Sequence, residues 1–196
     1  MKSIKFVSLF LVAGVLALSA CAAKPTRTAD THYGLDITIA ETSFGTDETV
    51  SLRRVDIRGV QSGRSLVHIV SDNPPQYQEA RGNFWHVATP TLLGRAFDDA
   101  LQQASTDARF GTNETVQDAD YSYSVDVETF AFEPNGEARV AATIVVKDAK
   151  RNIVLSEQYS ATAVVTSNTP TAGVEALSNA LSEAIGLFAS DLANAI

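Results

Sequence analysis

A single cysteine, a single tryptophan and three histidines in 196 residues exclude several classes of protein at once. One thiol can form no disulfide within the chain, so the fold must rest on packing even in an oxidising compartment. His32, His68 and His86 lack the spacing of a zinc pair, no second cysteine assists them, and no HExxH pattern occurs. The nucleophile elbow, the Walker loop and the dinucleotide-binding glycine pattern are missing too. Neighbouring carboxylates exist at Asp98 and Asp99 and at Asp118 and Asp120, in patterns that read as solvated faces or turns. The expectation is a protein with no catalytic residue, no metal site and no cofactor, and therefore not an enzyme. Positive charge is scarce: 15 Lys and Arg stand against 23 Asp and Glu, a net charge of −8. Such a balance argues against nucleic acid as a partner and against adsorption to anionic headgroups. Nor is there an apolar run of the roughly 20 residues that a membrane-spanning helix needs.

What is present starts with a shorter apolar run. Lys2 and Lys5 precede residues 6–18, which are almost all apolar, and small residues then lead to the lone cysteine. This is the pattern of a secretory signal. Leu18, Ser19 and Ala20 followed by Cys21 resemble a bacterial lipoprotein processing site. The resemblance implies cleavage before Cys21, a thioether diacylglycerol on its sulfur and an N-acyl chain, a palmitate-type anchor. Each buried CH2 contributes about 0.8 kcal/mol, so one chain holds marginally and two or three hold for good. Ala22 in place of an Asp implies sorting to the outer membrane, with the domain facing the periplasm. Without Lys2 and Lys5 the chain carries 13 basic and 23 acidic residues, about −10.

Three segments follow from this reading: a signal peptide at 1–20, the lipidated cysteine and a tether at 21–32, and one domain at 33–196. Pro25 and small polar residues mark the tether. About ten residues reach at most roughly 35 Å when stretched, so the folded body stays near its bilayer.

Within the domain, Leu35, Ile37 and Ile39 alternate with Asp36, Thr38 and Ala40, the period of a half-buried strand. Residues 50–60 form a second extended stretch in which Arg53, Arg54 and Arg58 interrupt Val55, Ile57 and Val60. Residues 66–70 and 76–85 read as a hairpin around Asn73-Pro74-Pro75. Thr89-Pro90 combines a capping residue with a proline suited to the first helical turn. Leu92, Leu93, Ala96, Phe97, Ala100, Leu101 and Ala104 then trace one helical face, with Gly111 and Asn113 in the loop beyond. Tyr121, Tyr123, Val125 and Val127 alternate as a strand whose phase changes at Phe130 and Phe132, predicting a bulge near Thr129. Pro134-Asn135-Gly136 and residues 148–152 are turn signals that divide a three-stranded meander. Val174, Leu177, Leu181, Ile185, Phe188, Leu192 and Ile196 mark a long closing helix.

Two helices cannot shelter both faces of so wide a sheet. The predicted fold is α+β, a two-layer sandwich with a mostly antiparallel or mixed sheet and both amphipathic helices on one face. The uncovered face is then the candidate surface for a lipid, a second copy or a partner. Tyr121, Tyr123, Phe130 and Phe132 are its candidate apolar residues. Trp85 has two readings, a core plug between hairpin and helix or an aromatic anchor at a subunit interface.

The order of these features resembles the ABC-type transport auxiliary lipoprotein family. The residues that carry the likeness are the lipoprotein signal, Tyr33-Gly34-Leu35 after the tether, Trp85 and Pro90 before the first helix, Tyr121 to Phe132, and the final helix. Gln61-Ser62-Gly63-Arg64-Ser65 departs from the Tyr-Leu-Asp-Arg-like stretch common in the family. The resemblance implies a non-catalytic accessory of an envelope lipid (phospholipid) transport system. Its implied partners are a membrane-anchored MCE-domain (mammalian cell entry) protein and an inner-membrane permease with its ATPase, while outer-membrane lipid and a second copy of the chain are the candidate partners of the uncovered face. A lipoprotein scaffold of an outer-membrane assembly or secretion machine is the rival expectation.

Overall fold

The computed structural model of the protein describes residues 29–45 and 47–196. The expected signal peptide, Leu18, Ser19, Ala20, Cys21 and most of the tether lie outside the described residues. The elements run β1 (Thr31–Tyr33), β2 (Thr49–Ile57), β3 (Ser65–Asp72), β4 (Pro75–Trp85), α1 (Thr89–Ala104), β5 (Arg109–Thr112), β6 (Tyr121–Phe132), β7 (Glu137–Asp148), β8 (Ile153–Val164) and α2 (Pro170–Ala195). A 3-10 turn at Gly59–Ser62 links β2 to β3.

The sheet is organised around β6. Along one edge β6 pairs over its whole length with β7, which pairs with β8, both antiparallel. Its other edge is divided. β2 runs parallel beside residues 121–127, and β3 touches at one position, His68 against Phe132. β5 extends the sheet beyond β2, while β4 and then β1 extend it beyond β3. The result is the expected α+β arrangement with a mixed sheet.

Alternation explains which side is buried. Ala138, Val140, Ala142, Ile144 and Val146 of β7 face the helices, with Tyr123, Val125 and Val127 of β6 beside them. At Glu128 the register slips, so Val127 opposes Ala142 and Thr129 opposes Ala141. That extra residue is the bulge expected near Thr129, and it turns Phe130 and Phe132 to the helix side as well.

Both helices lie on this side. Phe188 of α2 stacks against Tyr123, Tyr159 and Phe97 at 5.4, 5.7 and 6.4 Å between ring centres. α2 begins where Thr169 accepts a hydrogen bond from the Ala172 amide at 3.3 Å. At α1 the expected cap is not made: Ala88 is the capping position, and the Thr89 hydroxyl donates to the Gly63 carbonyl at 2.7 Å. Thr89 thereby ties the helix to the loop before β3.

Two other expectations change. The alternating segment at 35–39 is not a sheet strand; it lies as an extended strap against the helices. The Asp36 amide donates to Ser178 Oγ at 3.2 Å and the Thr38 amide to Ser182 Oγ at 3.1 Å. Its Leu35, Ile37 and Ile39 pack on the main core while the intervening residues face solvent. Period two reports half-burial and not the identity of the partner, and here the partner is a helix. Gly111, expected in a loop, lies in the short strand β5, where its lack of a side chain is needed. A Cβ there would come within 2.5 Å of Thr115 Oγ1.

Candidate functional site

Of the five aromatic residues expected to form an apolar surface, four are interior. Trp85, Tyr123, Phe130 and Phe132 are 2, 1, 3 and 3% exposed. Trp85 stacks on Phe130 at 5.6 Å and is the core plug between hairpin and helix. Tyr121 is half-buried near the end of the sheet, where burial and the neighbouring Glu48 push its phenol upward. The expectation of an exposed apolar face is thus corrected: the bulge in β6 sends both phases of aromatic residues inward.

The uncovered face is polar. Glu128 accepts from Thr143 Oγ1 at 3.0 Å and from Gln158 Nε2 at 2.6 Å. Arg139 grips Asp72 at the tip of the β3–β4 hairpin with two bonds of 2.6 and 3.0 Å. The apolar residues gathered away from the main core form a small cluster, with Val67, Ile69 and Ala131 buried and Tyr77 against them.

One part of this face is cationic. A second register shift in β2, between Leu52 and Arg54, inserts Arg53 as an extra residue. Leu52 therefore points into the core, Arg53 and Arg54 are both exposed, and Val55 returns to the core. Across the sheet, Arg54 pairs with Ser124 and Ser124 with Val145. In the adjacent row Ser51 pairs with Ser122, and Ser122 with Lys147. Arg151, in the β7–β8 turn at φ 68°, closes the end. Asp148 holds this turn by accepting from the Asn152 amide and Nδ2, both at 2.8 Å, which keeps its carboxyl below the ordinary range. Arg53, Arg54, Ser122, Ser124, Lys147 and Arg151 line a groove of about 350 Å³ floored by Val145. Among the described residues no carboxylate lines it. Arg54 also contacts Asp56 at 3.1 Å. The sequence signal was present, since two consecutive arginines break an alternating strand, but only the bulge puts both on one face.

Two further polar features depart from expectation, and one of them corrects the reading of Asp98 as part of a solvated face. Phe130 lies on the part of β6 that neither β2 nor β3 pairs, and its buried amide donates to Gln61 Oε1 at 2.6 Å. Gln61 thus fills the gap in the sheet with a side chain. Beneath α1, Asp98 Oδ1 and Tyr123 Oη are buried with no hydrogen-bond partner among the described residues. Burial, with Asp99 adjacent, raises the Asp98 carboxyl, and burial with Asp98 nearby raises the Tyr123 phenol well above its usual range.

The remaining nominated groups stand apart. His86 Nδ1 meets the Tyr33 carbonyl at 3.0 Å, His68 Nε2 meets Gln78 Oε1 at 3.4 Å, and His32 lies beside Phe84 with ring centres 5.9 Å apart. Asp120 accepts from the Thr49 amide and hydroxyl, whereas Asp118 occupies a turn at φ 54°. Among the described residues no group of three or more His, Cys, Asp or Glu side chains is placed to hold a metal ion. No described helix is long and apolar enough to cross a membrane. In the core, the apolar cavity bounded by Leu93, Phe97, Phe130, Ile144, Tyr159 and Leu181 measures about 10 Å³.

Two solved structures share the fold. An uncharacterized protein superposes with a TM-score of 0.67 at 12% identity, over 85% of this chain and 98% of its own. A Xanthomonas campestris protein of the DUF330 family gives 0.67 at 13% identity, over 81% and 92%. The PelC dodecamer from Paraburkholderia phytofirmans gives 0.44 at 17% identity, over 80% and 95%. No curated protein matches the sequence. Residues 33–186 match the family described as the ABC-type transport auxiliary lipoprotein component, spanning the strap, strands β2 to β8 and most of α2. By that match the chain belongs to the family of ABC-type transport auxiliary lipoprotein components.

Proposed function

We propose that the protein is a non-catalytic accessory of an MCE/ABC-type lipid transport system of the cell envelope. In this reading, acyl chains on Cys21 hold it on the inner leaflet of the outer membrane, and the domain faces the periplasm. Family membership supports a role beside a transporter. The observation that carries the choice of role is the filled interior. Pockets for small molecules run to roughly 300–1,000 Å³, against about 10 Å³ for the apolar cavity in this core. Among the described residues this core cavity leaves no room for an acyl chain, which supports a role exercised through the surface. The domain docks the MCE-domain protein that connects to the permease and ATPase, and the short tether makes that partner come to it.

Crosslinking in intact envelopes, with the full chain as bait, tests the reading. The expected product contains the MCE-domain protein, with permease and ATPase co-purifying. Recovery of secretion-pore or assembly subunits in their place refutes it in favour of a scaffold. Cys21→Ser tests the anchor separately: the variant is expected in the soluble periplasmic fraction, and full membrane retention refutes lipid anchoring.

A further inference from the structure

In a chain carrying a net charge of −8, a groove lined by four cations and no carboxylate is a local reversal of sign. Among the described residues, three of its cations, Arg53, Lys147 and Arg151, form no ion pair. The arrangement is specific in its construction. The β2 bulge aims two guanidinium groups at one face, the β7–β8 turn brings a third, and Lys147 enters from the neighbouring strand. Ser122 and Ser124 add hydroxyl donors in the floor between them. Every charged or polar side chain on the wall can donate a hydrogen bond, so the complementary ligand is an anion with several acceptor oxygens. Guanidinium forks and an ammonium together suit a tetrahedral oxyanion.

Its surroundings favour a compact anion over an extended acidic peptide. Asp126 and Glu128 follow Ser124 along β6 on the same face, and Asp56 follows Arg54 along β2. Asp118 and Asp148 line the hollow next door, beside Arg53 and Arg151. A chain of carboxylates laid across the sheet would meet like charge on either side, whereas a single phosphate with a small substituent fits within about 350 Å³.

We propose that this groove is a phosphate-binding site, with Arg53, Lys147 and Arg151 as its charged ligands and Ser122 and Ser124 as neutral donors. Phosphate binding stands on the groove itself. Its use for the headgroup of a transported phospholipid rests on the function proposed above.

The test is a calorimetric titration of the purified full chain at low ionic strength, with inorganic phosphate and, separately, with short-chain phosphatidylglycerol below its micelle concentration. Both probes are expected to bind, and both more weakly as salt is added. The double variant Arg53→Ala/Arg151→Ala is expected to lose at least about tenfold in affinity at an unchanged unfolding temperature. Lys147→Ala, whose side chain is solvent-facing, should fall in between. Arg58→Ala, a cation of the same face paired with Asp126 at 3.7 Å, is the control and should bind as the parent does. Tighter binding of the lipid than of inorganic phosphate supports a headgroup as ligand. Binding of phosphate without the lipid supports the site and assigns it to a free phosphate. Binding of neither probe overturns the proposal, as does equal loss in the Arg58 control. Capture of an acidic protein segment by the same residues, without phosphate binding, overturns it too.

Discussion

Gly173 sits in the first turn of α2, where a helix ordinarily gains from alanine in place of glycine by up to about 1 kcal/mol. Here the tertiary structure reverses that gain. A Cβ at Gly173 would stand 2.5 Å from Phe132 Cε2 and 2.6 Å from Cδ2 and Cζ. Carbon atoms pack at about 3.5–4.0 Å, so roughly 1 Å of separation must be recovered. The obstacle is the body of a ring that is 3% exposed, held in β6 opposite Ala138, and it cannot swing into solvent. Relief therefore comes from lifting the start of α2 or from driving Phe132 off its rotamer. Such overpacking costs about 1–3 kcal/mol, which exceeds the propensity gain. Gly173→Ala is expected to lower stability in urea or guanidinium unfolding, by up to about 2 kcal/mol net. For a protein of this size each kcal/mol moves the melting temperature by about 2–4 °C. Adding Phe132→Leu should recover part of the loss, giving a coupling of about 0.5–3 kcal/mol in the double-mutant cycle. A Gly173→Ala protein as stable as the parent, or more stable, refutes the argument that Phe132 blocks this position.

Other perturbations read other parts of the fold. Gln61→Ala leaves the Phe130 amide buried and unpaired in the gap between β2 and β3, and unfolding should report a loss of about 1–3 kcal/mol. Asp98→Asn probes the orphaned carboxylate under α1. Its carboxyl is raised above 3.8, so its favourable contribution is complete below that value and lost as pH rises through the raised one. At neutral pH the Asn variant is expected to be the more stable, because it carries no charge to desolvate. Melting temperatures measured across pH should show that gap closing as pH falls toward 3.8, and a pH-independent gap would refute the assignment. Phe188→Ala removes the ring at the centre of the aromatic cluster and should cost about 3–5 kcal/mol; a smaller loss would mean that the surrounding rings collapse into the space.

Local chemistry by itself determined much of this protein. The alternation of β7, the turn at Pro134-Asn135-Gly136, the three- and four-residue steps of both helices and the phase change at Phe130 are one-dimensional patterns, and each corresponds to the observed element. The family resemblance read from Tyr33-Gly34-Leu35, Trp85 and Pro90 matches the family found over residues 33–186. Tertiary structure decided what periodicity does not encode, namely the partner and the direction of each face. The same period of two made a sheet strand at β7 and a strap on α2 at Leu35–Ile39, because serines 178 and 182 supplied the hydrogen bonds. Phe130 and Phe132 of β6 joined Tyr123 on the inward side because one inserted residue at Glu128 rotated the chain, while Ser122 and Ser124 face outward by simple alternation before it. Arg53 and Arg54 became neighbours in a groove through a second insertion, and Lys147 and Arg151 reached it from a hairpin almost a hundred residues away in sequence. Side chains distant along the chain converge only when backbone pairing sets their register, and a bulge shifts that register without a reliable mark in composition or hydropathy.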